Sequence, residues 1–80
     1  MEGSEKMIIT KNINGLINNH IMKYALYPNR IIIDILSLNE LKKELGIKEY
    51  TTLTGYNGCK IFIVPEENTI EVYRKEVKKW

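Results

Sequence analysis

The chain is poor in the residues that build covalent or metal-bound scaffolds: it has one cysteine, Cys59, one histidine, His20, and one aspartate, Asp34, in 80 residues. A lone thiol excludes an intramolecular disulfide framework, and this set does not supply a structural zinc site. No metal centre and no cofactor are expected, and the free cysteine fits a cytoplasmic location. No apolar run approaches the roughly 18 residues of a membrane span, and the opening MEGSEK has no hydrophobic signal core behind it. Charge of one sign is scarce as well. Twelve basic residues against ten acidic ones leave a net +2, too little to predict nucleic-acid binding from charge alone.

What is present fits one folded domain. Hydrophobic residues make up 44% and charged residues 28%, ordinary values for a globular chain, and the length excludes a second domain. A chain this short buries only about 60% of its unfolded surface, so its core is thin. Ile, Lys and Asn, all read from A/T-rich codons, are abundant and point to an A/T-rich genome. Residues 1–6 are polar with a Gly-Ser pair and read as a flexible terminus ahead of a single domain over residues 7–80.

Ile13, Leu16, Ile17, His20, Ile21 and Tyr24 recur at spacings of three and four, which predicts a helix from about residue 11 to 26, or from Asn14 if that residue is its N-cap. A short strand over Met7 to Thr10 is an additional candidate. Pro28-Asn29 predicts a reversal of the chain. Arg30 to Leu36 reads as a strand buried on both faces, and Ser37 to Glu40 as the capping box of a helix over 38–45 with a Leu36–Leu41 staple. Asp34 reads as the solvent side of the strand's end, or as a partner of His20 or Arg30. Gly46 supplies the left-handed stop. Tyr50 to Thr54 and Cys59 to Val64 predict a hairpin across the connection Gly55-Tyr56-Asn57-Gly58. Pro65 to Asn68 leads to a further strand over Thr69 to Arg74 and a second hairpin. Tyr73, Val77 and Trp80 also fall at helical spacing, so a short C-terminal helix competes there. The order α-β-α-β-β-β is an α+β fold, with two helices on a mixed, mostly antiparallel sheet of about four strands. The first strand can run parallel to the third through the helical crossover, with the last two strands antiparallel.

The chemistry-bearing residues read mostly as structure. His20 on an apolar stripe has no convergent partner placed by the sequence, so a partly buried, hydrogen-bonded histidine outweighs a catalytic one. Cys59 at a strand start reads as core rather than nucleophile. The Gly55–Gly58 segment lacks the Lys-Ser/Thr of a phosphate-binding loop and opens no helix. Tyr56 at its tip is a candidate partner anchor. Tyr73, Arg74, Lys75, Lys78, Lys79 and Trp80 interleave aromatics with cations, the combination used on nucleic acids, although a solvated lysine-rich terminus is the commoner origin of such a run.

The stronger signal is a mismatch between sheet and cover. Two strands look apolar on both faces, while two helices, one of them short, are there to shield them. With both helices on one side, Ile32, Phe62 and Val64 face outward. Those three and Tyr56 form the candidate partner-binding set, and self-association or docking on another protein is expected.

Tyr27-Pro28-Asn29-Arg30-Ile31-Ile32-Ile33, then Leu38 to Leu45, Gly55 to Val64 and Ile70 to Val72, resembles a pattern in small phage and prophage proteins. Its order is similar to a strand-helix-strand segment of the axial domain of tailed-phage major capsid proteins, though the chain is too short for a capsid subunit. The resemblance implies a mobile-element origin and a non-enzymatic, protein-contacting role, and it carries no functional residue across. The expected function is a small non-enzymatic interaction or structural module that forms homo-oligomers. The alternative is a nucleic-acid-binding accessory protein using the basic C-terminal segment.

Overall fold

The computed structural model describes residues 8–76. Its elements run α1 (Ile8–Tyr24), β1 (Arg30–Asp34), α2 (Ile35–Leu45), β2 (Gly55–Tyr56), β3 (Cys59–Val64) and β4 (Ile70–Tyr73). The fold is α+β, two helices with a four-stranded mixed sheet in the order β2-β3-β1-β4.

Helix α1 follows from its isoleucine stripe, with Ile13 and Ile17 buried and Ile9 and Ile21 packed beside them. Thr10 is already helical and buried, so the strand expected over Met7 to Thr10 is not formed at its described end; Met7 lies outside the described residues. Asn14 sits inside the helix rather than capping it. The first described turn is held instead by a distant carboxylate, Glu44 of α2, which accepts from the Ile9 and Thr10 amides at 2.8 Å each. The helix closes at Tyr24, two residues before the expected limit. Ala25 turns to φ 59 there while its amide still donates to the Ile21 carbonyl at 2.7 Å.

Strand β1 is shorter than expected and buried on one face only, with Ile31 and Ile33 fully buried and Ile32 between them half-buried. It stops at Asp34 because that residue, not Ser37, is the N-cap of α2. The Asp34 carboxylate is buried rather than solvent-facing, and it engages neither His20 nor Arg30. It accepts from the Ser37 amide at 3.2 Å and the Thr69 amide at 3.0 Å. An aspartate is as good a cap as a serine, and this one also satisfies the entry of β4. Leu36 then falls in the first helical turn, where it is exposed and makes no staple with the buried Leu41. Glu40 pairs with Lys43 at 3.6 Å instead of reaching back to Ser37. The other end follows expectation. Gly46 takes φ 75, and the Ile47 amide returns to the Lys42 carbonyl at 2.8 Å.

Strands β1 and β3 pair in parallel from Arg30↔Lys60 to Asp34↔Val64, as the helical crossover predicts. The first hairpin is tighter than expected: Gly55 and Tyr56 are strand, and Asn57-Gly58 alone makes the turn at φ 56 and 82, with no strand over Tyr50 to Thr54. Two consecutive left-handed residues match the twist of the flanking strands, and Asn-Gly is the sequence that tolerates them. The second hairpin does not form. Strand β4 crosses the end of β1 and pairs antiparallel with it, Ile31 opposite Val72 and Ile33 opposite Ile70. Reciprocal bonds at Thr69 fix the crossing, because its amide donates to the Asp34 carboxylate and its carbonyl accepts the Asp34 amide at 3.0 Å. Arg74 to Glu76 are not helical, and the rest of the candidate C-terminal helix lies outside the described residues.

Candidate functional site

Side chains alternate across a strand, so the position of the helices decides which residues of the sheet are free. Ile13 and Ile17 of α1, Leu38 and Leu41 of α2, and Ile31 and Ile33 of β1 share one core cluster, with Ile61, Ile70 and Val72 packed against it. Both helices therefore lie on the odd-numbered side of the sheet, where Ile31 and Ile33 of β1 and Cys59 of β3 are buried and Ile61 is partly so, while Ile63 near the end of β3 stays 55% exposed. The even-numbered residues face the other way.

That helix-free face has a defined register. Lys60, Arg30 and Tyr73 are neighbours across β3, β1 and β4, and Phe62, Ile32 and Glu71 form the next row. Val64 continues the β3 column beside Asp34, whose carboxylate is turned into the α2 cap. Phe62 and Tyr73 keep 39% and 37% of their surface exposed, while Ile32 and Val64 are half-buried. The Arg30 guanidinium carbon stands 5.4 Å and the Lys60 ammonium 5.7 Å from the centre of the Phe62 ring, both within cation–π range.

Three of the four candidate partner residues, Ile32, Phe62 and Val64, thus lie on one face. Tyr56 does not join them: it is half-buried on β2 and packs against the core, since the turn it was expected to cap is made by Asn57 and Gly58. Of the candidate nucleic-acid residues, Tyr73 lies on the helix-free face. The Arg74 Nε donates to Glu76 at 2.6 Å and its Nη1 to the Tyr27 carbonyl at 2.9 Å, so its charge is paired. Lys75 is exposed, its backbone amide donating to the Asn29 side chain at 2.9 Å. Lys78, Lys79 and Trp80 lie outside the described residues. Arg30 and Lys60 were missed from sequence; they sit two residues before Ile32 and Phe62, at the strand period that places them on the same face.

The groups able to do chemistry have structural roles. His20 Nδ1 lies 2.8 Å from the Leu26 carbonyl; a carbonyl only accepts, so Nδ1 is the donor in this bond. Cys59 is buried, its thiol donating to the Pro28 carbonyl at 3.4 Å, and burial pushes its pKa up, away from thiolate character. A hydrogen bond from the Ser37 side chain, joined by the Ser37 and Thr69 amides, holds the Asp34 carboxyl below its ordinary value against the opposing effect of burial. No group of three or more potential metal ligands occurs among the described residues. None of their helices is long and apolar enough to cross a membrane. A cleft of about 350 Å³ opens between the end of α1 and β4, lined by His20, Tyr24, Leu26, Val72, Tyr73, Arg74 and Glu76.

Comparison of the chain with protein-family models, curated proteins and solved structures gave no match.

Proposed function

We propose that the protein is a non-enzymatic interaction module and that the helix-free face of its sheet is the contact surface. The observation that carries this is the placement of both helices on one side, which leaves Phe62 and Tyr73 more than a third exposed beside Ile32 and Val64. A sheet that displays aromatic and aliphatic side chains gains by covering them. The non-enzymatic part rests on the occupied state of the chemical groups: Asp34 caps a helix, Cys59 is buried, and His20 is bonded to a carbonyl. Catalysis needs an acid, a base or a nucleophile converging on one point, and these three have other partners.

The test is a surface-specific one. Phe62→Glu and Tyr73→Glu place charge on the helix-free face, and Met22→Glu, on an exposed position of α1, serves as control. Purified wild type and variants are compared by light scattering over a concentration series and by cross-linking in extract of the native host. Loss of self-assembly or of a defined cross-linked species in the two sheet variants, with Met22→Glu unchanged, is the expected result. Unchanged behaviour of all three variants overturns the assignment of the face.

A further inference from the structure

We propose that β4 pairs antiparallel with β4 of a second copy across a twofold axis, so that two sheets join edge to edge. The proposal concerns the open edge of the sheet and stands apart from the reading of its helix-free face.

The order β2-β3-β1-β4 leaves β4 on the outside. Backbone groups along a strand point alternately to its two sides, and the bonds present fix the phase. The Thr69 carbonyl accepts the Asp34 amide at 3.0 Å, and the Tyr73 carbonyl accepts the Asn29 amide at 3.1 Å. The Asn29 side chain then holds both the amide and the carbonyl of Lys75, at 2.9 and 3.1 Å, so the chain stays in step past the end of β4. Residues 69, 71, 73 and 75 therefore point inward. Ile70, Val72 and Arg74 turn their amides and carbonyls outward, and among the described residues no hydrogen-bond partner meets these groups. Such an edge is ordinarily blunted by proline, lysine or a bulge. Ile70 to Tyr73 has no proline or lysine and pairs with β1 without a bulge. The opposite edge strand, β2, is only 2 residues long.

What fits an open edge is an extended strand, because its own N–H and C=O groups repeat at the matching spacing. The side chains select a second copy. In a twofold antiparallel pair each residue meets a different one, except the residue on the axis. With Glu71 on the axis two carboxylates oppose each other, which is destabilising. With Val72 there, Glu71 meets Tyr73 and Lys75 meets Thr69, and no charge is matched. With Tyr73 on the axis, Glu71 meets Lys75 of the second copy and Lys75 meets its Glu71. Val72 and Arg74 then exchange backbone bonds with Arg74 and Val72 of the second copy, using the outward groups. Tyr73 meets its counterpart at a non-hydrogen-bonded position, where facing side chains are closest. Opposite charges and paired aromatics are the cross-strand contacts that stabilise a ladder, and Glu71, Tyr73 and Lys75 are all exposed in the single chain.

The experiment is sedimentation equilibrium of the full chain over a concentration series at low salt, with circular dichroism to verify that each variant keeps its fold. Wild type is compared with Glu71→Lys, Lys75→Glu and the variant that carries both. The expected result is a wild-type dimer. Each single exchange sets like charges opposite one another at both symmetry-related positions and weakens the dimer about tenfold. The double exchange restores opposite charges in reversed order and returns the affinity to within about twofold of wild type. Phe62→Glu, on β3 and separated from the edge by β1, leaves the dimer in place.

A wild type that stays monomeric overturns the proposal, and the edge is then left to a strand of another protein or to none. A dimer indifferent to the single exchanges, or not recovered by the double one, overturns it as well. Loss of the dimer in Phe62→Glu without a response to the exchanges would put self-association on the helix-free face instead.

Discussion

The Glu44 carboxylate stands 2.8 Å from the Thr10 amide, 34 residues away in sequence, and so one helix caps the other. Its second oxygen takes the Ile9 amide, so both oxygens serve orphan donors at the positive end of α1. A helix with no acidic residue in its first turn thereby acquires one from across the fold. Glu44→Ala is expected to destabilise the protein by about 1 kcal/mol, the ordinary worth of an N-cap. Glu44→Gln should recover part of that loss. Urea unfolding followed by circular dichroism reads both, and a midpoint unmoved by Glu44→Ala would show the contact to be idle.

Asp34 predicts the acid limb of stability. Its folded pKa is depressed below the ordinary value of 3.8, so its contribution is fully present above that value and is lost as pH falls through the folded pKa. Asp34→Asn, which keeps an oxygen acceptor without the ionisation, is expected to be less stable than wild type at pH 6 and to approach it as the pH is lowered. Parallel acid profiles for the two proteins would contradict this.

The Asn57-Gly58 turn predicts a position-specific glycine effect. Gly58 at φ 82 has no neighbour within 4 Å of an added Cβ, so the cost of Gly58→Ala is conformational rather than steric. About 1 kcal/mol is expected. Asn57→Gly, in the same turn at φ 56, should be close to neutral. Thermal melts of the two variants give the comparison.

The two faces of β1 should answer mutation differently. Ile33 is fully buried between sheet and helices, and Ile33→Ala is expected to cost about 2–5 kcal/mol, enough to unfold much of a domain this small. Ile32→Ala on the half-buried face should cost clearly less. Amide spectra by NMR at room temperature, dispersed for Ile32→Ala and collapsed for Ile33→Ala, would display the asymmetry.

The parts of this fold that were legible in sequence are those set by local chemistry. The α1 stripe, the Gly46 stop and the apolar β3 all follow from periodicity or from one residue's backbone preference. The misread positions are those where two local signals competed and a distant partner chose. Ser37 and Asp34 both offered a cap, and the Thr69 amide needed an acceptor at the position Asp34 occupies. Pro65 to Asn68 looked like a hairpin turn, but the same Thr69 contact carries the chain past β1. For the candidate surface, Ile32, Phe62 and Val64 were found from apolarity alone. Arg30 was read only as a possible partner of Asp34, and neither it nor Lys60 could be set beside Phe62 before the pairing of β1 with β3 fixed the register.

Strand β1 borders both β3 and β4, and each of those partners is made from a later stretch of the chain. On a ribosome, where the polypeptide emerges from its N-terminus, α1, β1 and α2 leave the tunnel with the isoleucines of β1 lacking both flanking strands. The parallel pairing with β3 becomes possible once Val64 has cleared the exit, and the other edge of β1 is covered only after Tyr73 has followed. Until then Ile31 to Ile33 keep at least one strand edge open, the kind of nascent segment on which holding chaperones act.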